Sequence, residues 1–228
     1  MYMRQLLKVL GKTEIPYYQK GETPRLLIHA GTHGDEYGVI ESVKLAVDKY
    51  EDRLPDFIFV PVVSPSAVGK KTRVNGDNID LNRNFFEEST IGEVEANFQI
   101  VRGNKFETLV TFHEDIEPEA KFYLYDTGWG IGESDSWKTF KGELMEMGVG
   151  LLNGSDDPND PTLNFTFSEG YHYWSLSNAG YQGGSFDAWL SRNGLVSKIL
   201  VPEIPAHLNQ TLKNKTVDLF FNHFLLKS

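Results

Sequence analysis

His33, Glu36 and His113 carry the side chains best suited to holding a metal ion. His33 and Glu36 fall where a predicted strand gives way to a predicted helix, and His113 directly follows another predicted strand. If the two strands run parallel, the three side chains lie at the end of the sheet where open α/β sheets bind ligands. Two imidazoles and one carboxylate leave the fourth position of a tetrahedral zinc ion open, as catalytic zinc sites require.

A histidine and a glutamate at this spacing also occur by chance in surface turns, so the pair alone is weak evidence. Here it lies in segment 30–36, Ala-Gly-Thr-His-Gly-Asp-Glu, whose small residues leave room for an ion. His29 lies inside an apolar run and is expected to be a packed, hydrogen-bonded core residue, while the other histidines lack a carboxylate at ligand spacing. We therefore expect one Zn²⁺ ion, held by His33, Glu36 and His113.

Arg83 and the adjacent Asn82 could bind a carboxylate, because a guanidinium donates two parallel charge-assisted hydrogen bonds and an amide can add a third. The alternative is a surface pair between Arg83 and Asp80. Segment 78–85, Asn-Ile-Asp-Leu-Asn-Arg-Asn-Phe, resembles the D-x-N-R-N element of the zinc carboxypeptidase family. In that family the Asn-Arg pair binds the free carboxylate of the substrate, and the resemblance assigns this role to Asn82 and Arg83.

The same resemblance implies roles for two further residues. Arg73, in the segment Lys-Lys-Thr-Arg at 70–73, matches the arginine that polarises the scissile carbonyl, and the alternative is a solvated basic turn. Glu203, in the segment Val-Pro-Glu-Ile-Pro at 201–205, ends a predicted strand as the family's general base does. The alternative for Glu203 is a solvated glutamate at a strand end.

Segment 180–187, Gly-Tyr-Gln-Gly-Gly-Ser-Phe-Asp, resembles the family's mobile tyrosine loop and the turn that follows it. Tyr181 is closer to the Gly-Gly-Ser turn than in pancreatic-type enzymes, and an ungapped alignment places Ala179 at the tyrosine position. Tyr181 is expected to contact the substrate, with simple packing as the alternative. Phe186 matches the residue that lines the side-chain pocket and would favour an apolar or narrow side chain.

The composition narrows the range of partners. Lys and Arg number 22 against 32 Asp and Glu, giving a net charge of −10, and no basic stripe is present. This speaks against nucleic acid as a partner. The first ten residues do not resemble a secretory signal and no run is long enough to span a membrane, so we expect a cytoplasmic protein. The absence of cysteine leaves only imidazole and carboxylate as metal ligands.

Apolar strand-like runs alternate with helical patterns between these residues. Strands are predicted at 26–29, 57–63, 109–112, 122–125 and 199–201, and helices at about 37–50, 135–147 and 211–226. The alternation predicts a sheet covered on both faces, and the length and apolar content predict a single domain over residues 1–228. The resemblance implies an α/β fold in the form of a three-layer α/β/α sandwich with a mixed, mostly parallel central sheet. Segment 153–161 is expected to be an exposed loop without calcium. The acids Glu114, Asp115 and Glu117 are expected to be solvated. The alternatives are that they orient a ligand imidazole or attract a cationic part of a substrate.

Together these features imply a zinc-dependent hydrolase of the metallocarboxypeptidase type. It would cleave an amide bond next to a free carboxylate in a small peptide or an N-acyl amino acid. Only 77 positions (113 − 36) separate the second and third ligands, which is closer to the succinylglutamate desuccinylase and aspartoacylase branch and to murein peptide amidases than to pancreatic-type enzymes. The alternatives are a deacylase of N-acyl amino acids, a murein peptide amidase, or a non-catalytic module that binds carboxylates.

Overall fold

The computed structural model describes residues 2–157, 164–175 and 183–226. Its main feature is a mixed sheet of nine strands, accompanied in the same described ranges by a separate two-stranded ribbon. The strands of the main sheet are β1 (Arg4–Leu10), β2 (Thr13–Lys20), β3 (Leu26–His29), β4 (Phe57–Val60), β5 (Phe106–Thr111), β6 (His113–Asp115), β7 (Tyr123–Thr127), β10 (Tyr171–Trp174) and β11 (Val196–Pro205). The ribbon pairs β8 (Gly154–Ser155) with β9 (Thr166–Phe167).

The strand order is β1-β2-β4-β3-β5-β11-β7-β10, with β6 paired to β11 beyond the end of β5. The central strands β4, β3, β5 and β11 are parallel to one another. Strands β1 and β2 add antiparallel pairs on one side, and β7 pairs antiparallel with β11 on the other. The two central strands β3 and β4 consist entirely of buried residues, as expected of parallel strands that are covered on both faces.

Helices cover both faces of the sheet and form two apolar cores. One core joins alternate strand residues to α1 (Gly38–Tyr50), α4 (Asp135–Glu146) and α6 (Gln210–Phe220). The other lies under α3 (Gly92–Val101) and α5 (Phe186–Arg192). A short helix, α2 (Pro65–Lys70), follows β4. The three-layer α/β/α sandwich with a mixed, mostly parallel sheet that the sequence predicts is confirmed. No described helix has the length and apolar character needed to cross a bilayer.

The hairpin of β1 and β2 is absent from the sequence-based prediction. Its two-residue turn begins at Gly11, whose φ of 60° is of the kind that hairpin turns favour at glycine. Pro16 normally argues against a strand interior, yet it lies in the part of β2 that pairs only with β1. A proline lies inside a charged run in which apolar and polar residues alternate only weakly, so the local sequence pattern does not predict the two strands of the hairpin.

Several predicted boundaries differ from the observed ones. The strand predicted at 57–63 ends at Val60, directly before a proline, and the strand predicted at 199–201 is part of the ten-residue β11. The helix predicted to continue to residue 226 ends at Phe220 and is followed by a wider π-helical turn, Phe221–Leu225. The expected helix at 37–50 is confirmed as α1.

Candidate metal centre and active site

The predicted ligands His33, Glu36 and His113 lie together at one end of the sheet. All three are buried, and one ligand atom from each lies within 4.8 Å of the other two. The Glu36 carboxylate is central, because Oε1 contacts His33 Nδ1 and Oε2 lies 2.7 Å from His113 Nδ1. The sequence-based expectation that two strand ends bring these side chains together therefore agrees with the geometry.

The turn between β3 and α1 fixes the first two ligands. Gly31 has a φ of 64°, and its carbonyl accepts from the amide of Ser64 at 3.0 Å. Gly34 packs so closely against α2 that an added Cβ would lie 1.9 Å from the carbonyl oxygen of Ala67. These two glycines allow the chain to turn sharply after β3 and direct His33 and Glu36 to one point.

The third ligand comes from the next parallel strand. His113 is the first residue of β6 and is separated by one residue from the end of β5, which runs parallel to β3. Its Nε2 lies 3.3 Å from the hydroxyl of Thr111, and the Nε2 of His33 lies 3.2 Å from Asp80 Oδ1. Each imidazole thus directs Nδ1 inward and holds its outer nitrogen against an oxygen, the arrangement that orients histidine ligands in metal sites.

The electrostatics of the cluster match this geometry. Burial disfavours the charged form of His33, but the carboxylates of Glu36 and Asp80 outweigh it and raise its pKa to about 9. Burial also opposes the charge on Glu36, yet His33 and His113 hold its pKa well below the usual range. Two buried imidazoles converging on a carboxylate form a donor set suited to a divalent metal ion, which supports a metal site here.

Arg73 lies at the edge of this cluster. Its Nε donates to Asp80 Oδ2 at 3.0 Å, and its Nη1 lies 3.9 Å from Glu36 Oε1. About half of its side chain is exposed. Asp80 therefore bridges Arg73 to His33 and holds the half-exposed arginine beside the ligand cluster.

Asn82 and Arg83 lie in a short 3-10 helix, Leu81–Arg83. Asp80 caps this helix, because its Oδ1 accepts a hydrogen bond from the backbone amide of Asn82 at 2.9 Å. The same aspartate therefore connects the carboxylate-binding candidates to His33 and Arg73. Asn82 Oδ1 accepts from the amide of Phe186 at 3.3 Å. An added Cβ at Gly184 would lie only 2.1 Å from the carbonyl oxygen of Arg83, so the Gly-Gly-Ser turn and the Asn-Arg pair are in close contact.

Glu203 pairs in register with His113 where β11 runs parallel to β6. Burial raises the pKa of Glu203 to about 8, an effect that His113 and Arg73 oppose and that Glu36 and Asp115 increase. Glu203 is thus a carboxyl group next to the ligand cluster, with a pKa near neutrality. This is the protonation behaviour that a group exchanging protons with a substrate needs.

Three other expectations have different outcomes. Tyr181 lies outside the described residues. Glu114 is buried and paired with Lys213, so the expectation that it is solvated is wrong, whereas Glu117 is exposed as expected. His29 is buried and stacked on Phe186, as a core residue should be, but its Nε2 has no hydrogen-bond partner among the described residues.

The sequence-based prediction did not include a group of aromatic side chains beside Glu203, namely Tyr123, Tyr125 and Phe167. In the antiparallel pairing of β11 and β7, Tyr123 lies opposite Glu203, and Tyr125 projects from the same face two residues further on. Phe167 contacts both rings, at 4.8 and 5.0 Å between centroids, and the Tyr125 hydroxyl donates to Asp156. The alternation of tyrosines at 123 and 125 was visible, but their position next to Glu203 depends on an antiparallel pairing that only the fold reveals.

Residues 22–124 match the model of the succinylglutamate desuccinylase/aspartoacylase catalytic domain. The matched region contains the three candidate ligands together with Arg73, Asn82 and Arg83, while Glu203 lies beyond it. None of the curated protein sequences matches the chain.

Solved structures similar to this chain agree with the fold. A protein from Shewanella denitrificans, provisionally named a metallopeptidase, has a TM-score of 0.72 at 18% identity over 97% of this chain and 82% of its own. An aspartoacylase family protein from Mesorhizobium loti has a TM-score of 0.59 at 18% identity, over 100% of this chain and 68% of its own. Murein-tripeptide amidase MpaA from Escherichia coli has a TM-score of 0.56 at 18% identity, over 96% of this chain and 88% of its own.

The family match indicates a hydrolase. The resemblance to the zinc carboxypeptidase-like superfamily that the motifs carry is confirmed through the catalytic-domain match over residues 22–124. The metallopeptidase-like, aspartoacylase-family and murein amidase structures share the fold of this chain.

Proposed function

We propose that this chain is a zinc-dependent hydrolase of the metallocarboxypeptidase type, which cleaves an amide bond next to a free carboxylate of its substrate. The observation that carries the proposal is the buried cluster of His33, Glu36 and His113 with Glu203 in register beside it. Glu203 is a carboxyl group beside the cluster whose pKa burial raises to about 8, as expected of a group that exchanges protons with a substrate.

The donor set fits zinc better than magnesium or calcium. Imidazole nitrogens with a single carboxylate suit zinc, whereas magnesium and calcium prefer sites made of oxygen ligands. His33, Glu36 and His113 would hold the ion, and Asp80 and Thr111 would keep the two imidazoles oriented. When bound there, zinc would act as a Lewis acid that makes a water molecule more acidic and an amide carbonyl more electrophilic.

Glu203 is proposed as the general base and then the general acid. Its carboxylate would take a proton from the attacking water, and the water oxygen would bond to the amide carbon. The same proton would then pass to the leaving nitrogen as the C–N bond breaks, so that the products are a carboxylic acid and an amine, which ionise to a carboxylate and an ammonium group. A pKa raised by burial to about 8 suits a group that must both accept and donate a proton near neutral pH.

Arg73 and the Asn-Arg pair would act on the substrate's negative charges. Arg73, which Asp80 holds beside Glu36, would stabilise the oxyanion that develops on the carbonyl oxygen. Asn82 and Arg83 would bind the substrate's free carboxylate. Because the carboxylate is fixed in position, the amide bond adjacent to it is the one presented to Glu203.

Two substrate classes fit this arrangement, a small peptide with a free C-terminus and an N-acyl amino acid. The desuccinylase/aspartoacylase catalytic-domain match favours an N-acyl amino acid. The likeness to a murein-tripeptide amidase, which the chain matches over 88% of that protein's length, favours a peptide. The carboxylate site is common to both classes, so the group on the far side of the amide bond distinguishes them.

Parallel assays of the zinc-loaded protein would test the proposal. Hydrolysis would be measured on a set of short peptides, a murein-derived tripeptide, and N-acetyl and N-succinyl amino acids, each compared with its C-terminal or α-carboxamide counterpart. We expect turnover of at least one class, with the amide counterpart strongly disfavoured. If the zinc-loaded protein hydrolyses none of the acids, or the acid and its amide equally well, the proposed function is wrong.

A further inference from the structure

A buried ion pair lies next to the ligand cluster on the side away from Glu203. Lys213, on α6, contacts Glu114 Oε1, and the two residues are 7% and 4% exposed. Buried charges of this kind are rare and costly unless they are paired. Glu114 directly follows the ligand His113 in β6, so the ion pair ties α6 to the strand that carries the third ligand.

Glu114 also binds the segment that carries the other two ligands. Its Oε2 accepts from the amide of Gly38, the first residue of α1, at 2.7 Å. Its own backbone amide donates to Oε2 of Glu36 at 3.3 Å. A single residue therefore connects β6 both to the start of α1 and to the ligand carboxylate itself.

The absence of a side chain at residue 38 permits this contact. An added Cβ at Gly38 would lie 2.4 Å from Nζ of Lys213 and 2.7 Å from Oε1 of Glu114. Both distances are far shorter than normal van der Waals contact, so any larger residue would push the ion pair away from the start of α1. Gly38, Glu114 and Lys213 thus form one close-packed unit, which we call the clamp.

We propose that the clamp of Gly38, Glu114 and Lys213 is a positioning device that sets the separation of the two ligand-bearing segments, the β3-α1 turn and β6. This inference rests on the metal centre of the proposed function. The two segments meet at Glu36, and the described contacts between them run through His113, through the Glu114 backbone and through the clamp. Lys213 balances the charge of Glu114, so that a carboxylate can serve as the connector within the protein interior.

The clamp can be tested with two double variants that leave no buried charge. Glu114→Ala with Lys213→Met removes the connection to Gly38, whereas Glu114→Gln with Lys213→Met retains an amide oxygen that can accept from Gly38. Affinity for Co²⁺ and Zn²⁺ would be measured by competition with a chelating dye, and the absorption bands of bound Co²⁺ would report the ligand geometry. We expect the Ala variant to bind about 10- to 100-fold more weakly with altered bands, and the Gln variant to stay near wild type.

Ser42→Ala provides the control for loosened helix packing. Ser42 donates to Asn214 at 2.7 Å between the same two helices, α1 and α6, and its described hydrogen bonds do not involve the side chains of Glu114 or Lys213. This variant should lower thermal stability and leave metal affinity and the Co²⁺ bands unchanged. A purely structural role for the clamp would instead give the same metal affinity in the Ala double variant and in the Ser42→Ala variant.

Wild-type affinity and Co²⁺ bands in the Ala double variant would overturn the inference, and so would equal weakening in both double variants. Should the Ala double variant fail to fold, Gly38→Ala gives the second measurement, because its Cβ displaces the pair without removing a charge. An unchanged affinity in Gly38→Ala would then overturn the inference. A wild-type protein that binds neither metal would overturn the proposed metal centre as well, which separates the two failures.

Discussion

Glu203 lies directly opposite His113 in the parallel pairing of β11 with β6. Side chains opposite each other in such a pair project from the same face of the sheet, so the carboxyl group lies beside the candidate third ligand. The relationship depends on β11 continuing beyond β5 to pair with β6. A shift of one residue would turn Glu203 to the other face, which makes its position a direct consequence of strand register.

The first prediction concerns Glu203→Gln. The glutamine keeps the size of the side chain but cannot accept the proton of the attacking water, so kcat should fall by about 10²- to 10⁴-fold. Zinc content, measured by elemental analysis, should remain at the wild-type level because Glu203 is not one of the proposed ligands. Glu117→Gln, at an exposed acid that follows β6, is the matched control and should have wild-type kcat. Turnover near the wild-type rate in Glu203→Gln would remove this residue from the mechanism.

The second prediction concerns removal of the metal. Treatment with a chelator followed by buffer exchange should abolish hydrolysis, and addition of Zn²⁺ or Co²⁺ should restore it. His113→Ala should not bind the metal, and added Zn²⁺ or Co²⁺ should not restore its hydrolytic activity, because only two of the three ligands remain. His223→Ala is the control. Nε2 of His223 lies 3.0 Å from a carboxylate oxygen of Glu143, and His223 is not part of the ligand cluster. Full activity in the presence of excess chelator, with no metal detected, would contradict the proposed centre.

The third prediction concerns Arg83→Lys. Lysine keeps the positive charge but cannot make two parallel hydrogen bonds to a carboxylate. A hydrogen bond to a charged group contributes about 1.5–3 kcal/mol, so kcat/KM for the acid substrate should fall by roughly 10- to 150-fold, mostly through KM. For the carboxamide counterpart, kcat/KM should fall much less, so the extra loss for the acid measures the contact between Arg83 and the carboxylate. Arg102→Lys is the control, at an exposed arginine that lies 3.9 Å from Glu87. It should leave kcat/KM unchanged for both the acid and the carboxamide. An equal loss for acid and amide would show that Arg83 acts in some other way.

The candidate ligands could be predicted from sequence because their signals are local. His33 and Glu36 lie in one turn, and His113 marks the end of a continuous apolar strand. The Asn82-Arg83 pair likewise lies in a single short motif. Parallel strands place such residues at one edge of a sheet, so the order of elements along the chain was enough to bring the ligands together.

The remaining parts of the site depend on contacts between distant segments. Glu114 lies in a run of acids that indicates a solvated loop, yet it is buried, where it pairs with Lys213 of α6 and accepts from the amide of Gly38. Asp80 joins His33 to Arg73, a link that no spacing in the sequence reveals. Tyr123 lies next to Glu203 through an antiparallel register, whereas local pattern gave only an apolar strand. Long-range pairing decides these positions, and periodicity carries no information about it.

The last prediction concerns Glu93, a buried glutamate on α3 that holds the segment preceding the Asn-Arg pair. Its Oε1 accepts from the amide of Ser66 at 2.8 Å, and its Oε2 accepts from the Ser64 hydroxyl at 3.0 Å and the Asn75 amide group at 3.3 Å. Asn75 in turn accepts from the amide of Ile79 at 3.0 Å, directly before Asp80. Glu93 therefore fixes the loop on which Arg73 and Asp80 lie.

In Glu93→Gln, the new amide group replaces one acceptor and leaves a buried donor unsatisfied. This should cost about 1–3 kcal/mol of unfolding free energy. For a chain of this size each kcal/mol lowers the melting temperature by about 2–4 °C, so scanning calorimetry should show a clear decrease. Because Arg73 and Asp80 both lose their support, kcat should fall, and zinc affinity should weaken as well, since Asp80 orients the candidate ligand His33. Glu95→Gln is the control on the same helix. Glu95 is partly exposed and accepts from Gln99 at 2.9 Å, so this variant should leave kcat and stability nearly unchanged. If Glu93→Gln lowers the melting temperature without lowering kcat, the loop does not need Glu93 to position Arg73.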